Sequence, residues 1–177
     1  EKRGLLNLRS TVDAMPYYIR PENIDLLVKH GVLSKTEICA RYDIELENYY
    51  KQLHIEALTM LDMIRKDILP AAASYEKDLA GTAARKVELG VPAGFEKELL
   101  QKLAAFSDCL YSEAEKLESD VESVPVGAST LEVARYYRDT VFAQMEATRK
   151  PADEIESLVG SKYWPYPTYG ELLFSVL

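Results

Sequence analysis

A long row of apolar residues recurs at helical spacing in the first half of the chain, and it limits what the chain can fold into. The row consists of Ile38, Tyr42, Leu46, Tyr49, Leu53, Ala57, Met60, Ile64 and Ile68. Successive members are three or four residues apart, which is the period of an α-helix and excludes a strand. Ser34 and Glu37 precede the row as a capping box, in which each side chain bonds the other's backbone amide. We therefore expect a long helix that begins beside Ser34.

Prolines and two short loops divide the rest of the chain into further helices. Because a proline ring clashes with the carbonyl four residues earlier, Pro70 should kink or end the first helix, and Pro151 should interrupt the third. The loops are Gly90–Gly94 and Val124–Gly127, and a second capping box begins at Ser129. Short loops between long helices favour antiparallel packing. The sequence predicts an all-α fold, an antiparallel bundle of three long helices: about 35–88 kinked at Pro70, 95–122 and 130–159.

Shorter elements are expected at both ends of the chain. Near the N-terminus we expect short helices, one of which begins at Pro21 and ends at Gly31 as a left-handed cap. Residues 162–169 are rich in aromatic residues and proline, so we expect them to be extended. Thr168 should cap one last helical turn. We expect this C-terminal segment either to pack on its own helices or to dock on another surface, with Trp164 as the anchor.

Composition and charge exclude several classes of protein. The chain carries 21 Lys and Arg against 29 Asp and Glu, a net charge of −8. Nucleic acids and anionic membranes attract clustered basic residues, so neither is an expected partner. No run approaches the ~20 apolar residues of a membrane-spanning helix. Eight glycines and eight prolines are too few for a sandwich or barrel, which turns every ~8–12 residues.

Few residues in the chain are suited to catalysis or metal binding. The two histidines are His30, which lies just before the Gly31 cap at the end of a helix, and His54 in the middle of one. Neither has a glutamate three residues earlier, as di-metal helical bundles require. Glycine-rich phosphate loops and the serine nucleophile elbow are also absent from the sequence. We assign no catalytic, cofactor-binding or metal-binding residue to the chain, which is more typical of a binding or assembly module.

Two further features are expected to have no chemical role. Cys39 and Cys109 lack the spacing of a zinc site, so we expect two buried, reduced thiols, as in a cytosolic protein. The stretch from Glu113 to Glu122 is strongly acidic, with Lys116 as its one basic residue. Such a run usually forms a solvated helix face, and we expect that here.

Several motifs together resemble the C-terminal part of the type III glutamine synthetases. Those near the start are Gly4-Leu5-Leu6-Asn7-Leu8-Arg9, Lys29-His30-Gly31-Val32-Leu33-Ser34 and His54-Ile55-Glu56-Ala57-Leu58-Thr59-Met60. Those near the end are Tyr136-Tyr137-Arg138-Asp139 and Lys162-Tyr163-Trp164-Pro165-Tyr166-Pro167-Thr168-Tyr169-Gly170. The resemblance covers nearly the whole chain, although residues 71–128 are generic helix and identify no family.

The resemblance implies an ATP-dependent, cytoplasmic ligase that makes glutamine from glutamate and ammonium with Mg²⁺ or Mn²⁺, in a ring-shaped homo-oligomer. Residues 1–50 resemble the end of the catalytic region and residues 51–177 its helical extension, within a single helical domain. The family's ATP, glutamate and metal motifs are missing, and the chain starts with Glu1, so we expect a fragment of a larger chain. It should give structural support and contact the upstream catalytic domain or other subunits. The alternative is a free-standing acidic helical bundle that binds other proteins.

Overall fold

The computed structural model describes residues 3–4, 6–167 and 169–174. The helices are α1 (Thr11–Tyr18), α2 (Pro21–Lys29), α3 (Lys35–Met63), α4 (Leu69–Glu88), α5 (Gly94–Glu122), α6 (Thr130–Tyr136), α7 (Phe142–Leu158) and α8 (Tyr169–Phe174). Two π-helical segments, Ile64–Ile68 and Tyr137–Val141, precede α4 and α7. The described residues contain no strand, so the all-α prediction is confirmed. None of the described helices combines the length and apolarity needed to cross a bilayer.

Both predicted capping boxes are present at helix starts. The Glu37 backbone N–H donates to the Ser34 hydroxyl at 3.2 Å, and the Ser34 N–H donates to the Glu37 carboxylate at 2.7 Å. Ser129 and Glu132 make the same reciprocal pair of bonds before α6. At the other end of a helix, Gly31 has a φ of 62°, the left-handed conformation expected after α2. The starts of α3 and α6 and the end of α2 therefore follow from local hydrogen bonding alone.

The chain remains helical at both prolines that were expected to disturb it. At the first π-helical segment the Leu69 N–H bonds to the carbonyl of Ile64, five residues earlier, and Pro70 then occupies the second position of α4. The wider π-turn accommodates the proline ring. The predicted interruption at Pro151 is wrong, because this residue lies inside α7. Its ring is buried on the same face as Thr148 and Ile155, and this burial offsets the lost hydrogen bond.

The chain folds into two compact units, each built from segments that are distant in sequence. The first unit combines Glu1–Ala57 with Asp120–Ala143, and the second combines Leu58–Ser119 with Gln144–Leu177. In the first unit, buried Val12, Leu46 and Ala134 from three different helices form a cluster. Partly buried residues pack against it: Met15, Tyr42, Tyr49, Tyr50 and Leu131. The apolar row of α3 thus faces a core, as its period predicts.

In the second unit α5 runs antiparallel to α4 and the π-helical segment before it. Three side-chain contacts show this: Arg65 with Glu118 at 2.6 Å, Ser107 with Glu76 at 3.0 Å, and Lys86 with Glu96. From the first contact to the third, the residue numbers rise from 65 to 86 on one side and fall from 118 to 96 on α5, so the two chain segments run in opposite directions. Apolar residues that recur at helical spacing on α5 and α7 are buried in this unit: Leu103, Leu110, Leu117, Met145 and Ile155.

The two cysteines lie on the outside of the protein, so the expectation of buried thiols is wrong. Both are free and exposed. Cys39 follows the fully buried Ile38, and Cys109 precedes the fully buried Leu110. Successive residues of an α-helix are about 100° apart around its axis, so the neighbour of a buried position can face solvent. The apolar character of cysteine suggested burial, but its position on the helix determines its exposure.

The aromatic C-terminal segment packs on helices of its own unit. The Tyr163 ring lies 5.0 Å from the Tyr75 ring, and its hydroxyl donates to Asp78. The Tyr166 hydroxyl donates to Asp67 at 3.0 Å. Burial, followed by this contact with Asp67, raises the pKa of Tyr166 to about 12. The segment is therefore held by rings that are apolar on their faces and hydrogen-bonded at their tips.

The end of the chain is less covered than this aromatic segment. Trp164 is half-buried, and its ring lies 5.9 Å from that of Tyr166. The predicted last turn is α8, in which Leu172, Leu173 and Phe174 are 62%, 63% and 80% exposed. Thr168, the expected cap, lies outside the described residues. The segment therefore packs on its own unit and also presents apolar side chains to solvent.

We predict that Ser34→Ala lowers the free energy of unfolding by about 1 kcal/mol, because the substitution removes the hydroxyl that accepts the Glu37 amide. Lys35→Ala is the matched control, since alanine suits the first turn of a helix and no cap is lost. Urea denaturation of the 177-residue chain measures both variants. Equal losses in the two variants would show that the cap does not stabilise α3.

We predict that Tyr166→Phe lowers the free energy of unfolding by about 1 kcal/mol, because the ring stays while the bond to Asp67 is lost. Tyr111→Phe is the control, since Tyr111 is 55% exposed on the same unit. The folded pKa of Tyr166 is raised, so its stabilising contribution is complete below about pH 10 and is lost as the pH approaches 12. The difference in the free energy of unfolding between wild type and Tyr166→Phe should therefore disappear between about pH 10 and pH 12. A difference that stays unchanged over this interval would contradict the hydrogen bond between Tyr166 and Asp67.

Candidate functional site

The motif Tyr136-Tyr137-Arg138-Asp139 joins separate segments of the first unit. The Tyr136 hydroxyl donates to the backbone carbonyl of Asp120 at 2.7 Å. The next two residues, in the second π-helical segment, contact α3 and α1. A single turn of the chain therefore connects three segments that are far apart in sequence.

Tyr137 pairs with His54 in a partly buried aromatic cluster. The Tyr137 hydroxyl and His54 Nδ1 are 3.0 Å apart, and the two rings meet edge to face at 6.1 Å. Tyr50 stacks on the Tyr137 ring, with 5.8 Å between the two ring centroids. Burial raises the pKa of Tyr137. These contacts give His54 a packing and hydrogen-bonding role.

Arg138 forms a charged cluster beside this pair. Its guanidinium forms two bonds to the Asp139 carboxylate, at 2.6 and 3.0 Å, and a third to Asp13 of α1 at 2.5 Å. The Ser10 hydroxyl donates to Asp13 at 2.8 Å, and this bond, together with Arg138, lowers the pKa of Asp13. The Asp139 contact also raises the pKa of Arg138. The planar guanidinium thereby attaches α1 to the second π-helical segment.

The residues considered for metal binding are not brought together. His30 is exposed at the end of α2, where its backbone N–H bonds to the Leu26 carbonyl, as its position before Gly31 predicts. Across residues 3–4, 6–167 and 169–174, no three His, Cys, Asp or Glu side chains form a group that could hold a metal ion. The assignment of no catalytic, cofactor or metal residue stays a prediction.

The acidic run between Glu113 and Glu122 is partly engaged with neighbouring helices. Glu113 bonds to Gln144 of α7 at 2.6 Å and pairs with Lys116 at 2.7 Å. Arg65 bridges Glu115 and Glu118, at 2.9 and 2.6 Å, and its bond lowers the pKa of Glu118. Glu115 and Glu118 still lie on a solvated face, with 49% and 39% of their side-chain surface exposed. Their partner Arg65 and the Gln144 partner of Glu113 lie about 30 to 50 residues away in sequence, which a local charge pattern does not show.

A cavity of about 610 Å³ opens in the second unit beside the first turn of α5. Glu96 lines this cavity and is 6% exposed. One of its carboxylate oxygens pairs with Lys86, which lowers the pKa of Glu96. The other oxygen is buried with no hydrogen-bond partner among the described residues. No feature of the sequence distinguishes Glu96, because an acidic residue in a first helical turn is common.

Comparison with known proteins connects these segments to one family. Residues 1–87 match the family described as the glutamine synthetase C-terminal domain. A glutamine synthetase of Butyrivibrio fibrisolvens is 46% identical over 177 residues, covering 99% of this chain and 25% of the relative. The type-3 glutamine synthetase of Dictyostelium discoideum is 28% identical over 180 residues, covering 98% of this chain and 24% of the relative.

A glutamine synthetase of Bacteroides fragilis is 27% identical over 186 residues, again covering 98% of this chain and 25% of the relative. The chain thus spans about a quarter of the length of the curated relatives that it matches. These matches extend well beyond residue 87, so they include both units. The resemblance predicted from the sequence is confirmed: residues 1–87 match the glutamine synthetase C-terminal domain family, and the chain as a whole is similar to about a quarter of the length of glutamine synthetases.

Proposed function

We propose that this chain supports and connects the subunits of a glutamine synthetase whose catalytic residues lie elsewhere. In this proposal the parent enzyme joins ammonium to glutamate at the expense of ATP, in the cytoplasm and as a ring-shaped homo-oligomer. The chain contributes contacts with the catalytic domain and with neighbouring subunits. The observation that carries the proposal is the 46% identity to a glutamine synthetase over 177 residues.

Exposed apolar side chains of the first unit support a contact with the rest of the enzyme. Helix α2 has no buried residue, although it is amphipathic and includes Leu26 and Val28, which are 55% and 46% exposed. Val32, just beyond it, is 61% exposed, and Leu6 near the N-terminus is 59% exposed. Exposed apolar side chains of this kind favour burial against a partner. Three-quarters of the length of the relatives lies outside the matched region, which provides such a partner within the same protein.

The end of the second unit supports a second contact, which we assign to a neighbouring subunit. Leu173 and Phe174 are exposed on α8, directly after a segment held by Tyr163 and Tyr166. Pro165 stiffens this segment, so docking α8 would order few additional residues. An apolar helix presented on an ordered support is suited to a contact between proteins.

The residues of this chain do not fit the ATP and Mg²⁺ or Mn²⁺ that the resemblance implies. Divalent metals bound with nucleotides take carboxylate oxygens that converge on one point. In the described part of the chain, Glu118 is paired with Arg65 and Asp13 with Arg138. Among the residues that the structure describes, no three such side chains converge. We therefore place no step of glutamine synthesis on this chain.

We predict that the purified 177-residue chain forms no glutamine from glutamate, ammonium and ATP, whereas the full-length protein that carries it does. The physical reason is the missing convergence of carboxylates and phosphate-binding amides. Chromatographic measurement of glutamine against a blank without enzyme decides the matter. Product from the isolated chain would contradict the proposal, as would a full-length protein without this activity.

We predict that Leu26→Glu destabilises the full-length protein but leaves the stability of the isolated chain almost unchanged. A glutamate at an exposed position of the isolated chain should change its free energy of unfolding by less than about 0.5 kcal/mol. In the full-length protein the same charge would be buried in the proposed contact, lowering the melting temperature by several degrees. Asp25→Asn, on the same helix, is the control and should alter neither. If Leu26→Glu changed the stability of both proteins equally, α2 would not be part of the proposed contact.

A further inference from the structure

Four large apolar side chains are exposed at the turn between α4 and α5. They are Val87, Leu89, Val91 and Phe95, which are 54%, 80%, 47% and 70% exposed and lie within nine consecutive positions. Single exposed apolar residues are normal on a protein surface, whereas several in one turn indicate a contact surface. We call residues 85–98 the hairpin tip.

The hairpin tip is held in one conformation by hydrogen bonds and an ion pair. Gly90 has a φ of 71°, and its N–H bonds to the Val87 carbonyl at 3.0 Å. The Val91 N–H bonds to the Lys86 carbonyl at 2.8 Å, which completes a Schellman motif at the end of α4. The Lys86 side chain also pairs with Glu96 at the start of α5. Because the tip is already ordered, docking it would cost little conformational entropy.

Charge limits the kind of partner that the hairpin tip can bind. The whole chain has a net charge of −8, so two copies repel each other unless they meet at locally neutral surfaces. The tip is neutral, because it carries three basic and three acidic residues: Arg85, Lys86, Lys97, Glu88, Glu96 and Glu98. A basic partner would instead favour the acidic run between Glu113 and Glu122. A neutral, apolar surface on an acidic chain is suited to a second copy of the same chain.

Two charges at the hairpin tip are available to a partner. Arg85 and Glu88 are exposed in the last turn of α4, and neither forms an ion pair within the described part of the chain. In a twofold contact the same surface is used by both copies, so residue i of one copy meets residue j of the other and the reverse. One unpaired cation and one unpaired anion on the same surface can therefore form two ion pairs between two copies.

We propose that the hairpin tip binds the hairpin tip of a second copy of this chain across a twofold axis. Leu89 and Phe95 of the two copies bury one another, and Arg85 of each copy pairs with Glu88 of the other. The proposal rests on the function proposed above, in which the chain connects subunits. It adds a separate contact surface to that function, since it uses no residue of α2 or α8.

Sedimentation equilibrium of the 177-residue chain at concentrations up to about 200 μM tests the proposal, because a small contact surface supports a weak dimer. We expect a monomer–dimer equilibrium for the wild type. Leu89→Glu should weaken the association more than tenfold, since each copy would bury a charge in the contact. Tyr111→Glu is the matched control: it makes the same change of charge at a position of the same unit that is 55% exposed, and the association should stay unchanged. Circular dichroism checks that the variants remain helical.

A wild type that stays monomeric, or equal association of wild type and Leu89→Glu, would overturn the proposal. Either result would leave the proposed function standing, because glutamine formation by the full-length protein and the effect of Leu26→Glu test that function separately.

Charge reversals test the pairing between the two copies. Arg85→Glu and Glu88→Arg should each weaken the association about fivefold when present alone, because like charges then meet at two places across the axis. An equimolar mixture of the two variants places opposite charges at both places and should recover the association of the wild type. A mixture that associates no better than either variant alone would overturn the pairing of Arg85 with Glu88.

Discussion

The contact of Arg138 with Asp13 and Asp139 holds the first unit together. It attaches α1, which begins after Ser10, to the turn that also carries Tyr137 and its partner on α3. A guanidinium with 26% of its side-chain surface exposed needs such partners, since an unpaired charge there would lose hydration without compensation. The cluster around Val12 and Leu46 depends on this attachment, because α1 would otherwise be too short to remain folded.

The two π-helical segments have the same structural role, each in its own unit. Each introduces residues whose partners are far away in sequence: Arg65 and Asp67 in the second unit, Tyr137 and Arg138 in the first. An extra residue in a helical turn rotates the following side chains relative to the regular face. Several of the contacts that join distant segments therefore lie at the two places where the helix is irregular.

The apolar surfaces that remain exposed on α2 and α8 are consistent with a chain that packs against a larger protein. The cores of the two units bury their own apolar rows, yet α2 buries nothing and α8 exposes Leu173 and Phe174. In the first unit the polar side chain of His54 is used in packing, since it contacts Tyr137.

The sequence by itself determined the helices, their starts at Ser34 and Ser129, the inward faces and the family, because all of these depend on local hydrogen bonds, period and motif. The tertiary structure decided the rest. It placed Cys39 and Cys109 outside, kept Pro151 within a helix, and gave the acidic run partners in Arg65 and Gln144. It also paired Tyr137 with His54, and it left one buried Glu96 oxygen with no hydrogen-bond partner among the residues that the structure describes. Each of these features depends on which side chain from a distant part of the sequence packs beside the residue. Tertiary packing creates that proximity, whereas the period of a helix describes only one helix at a time.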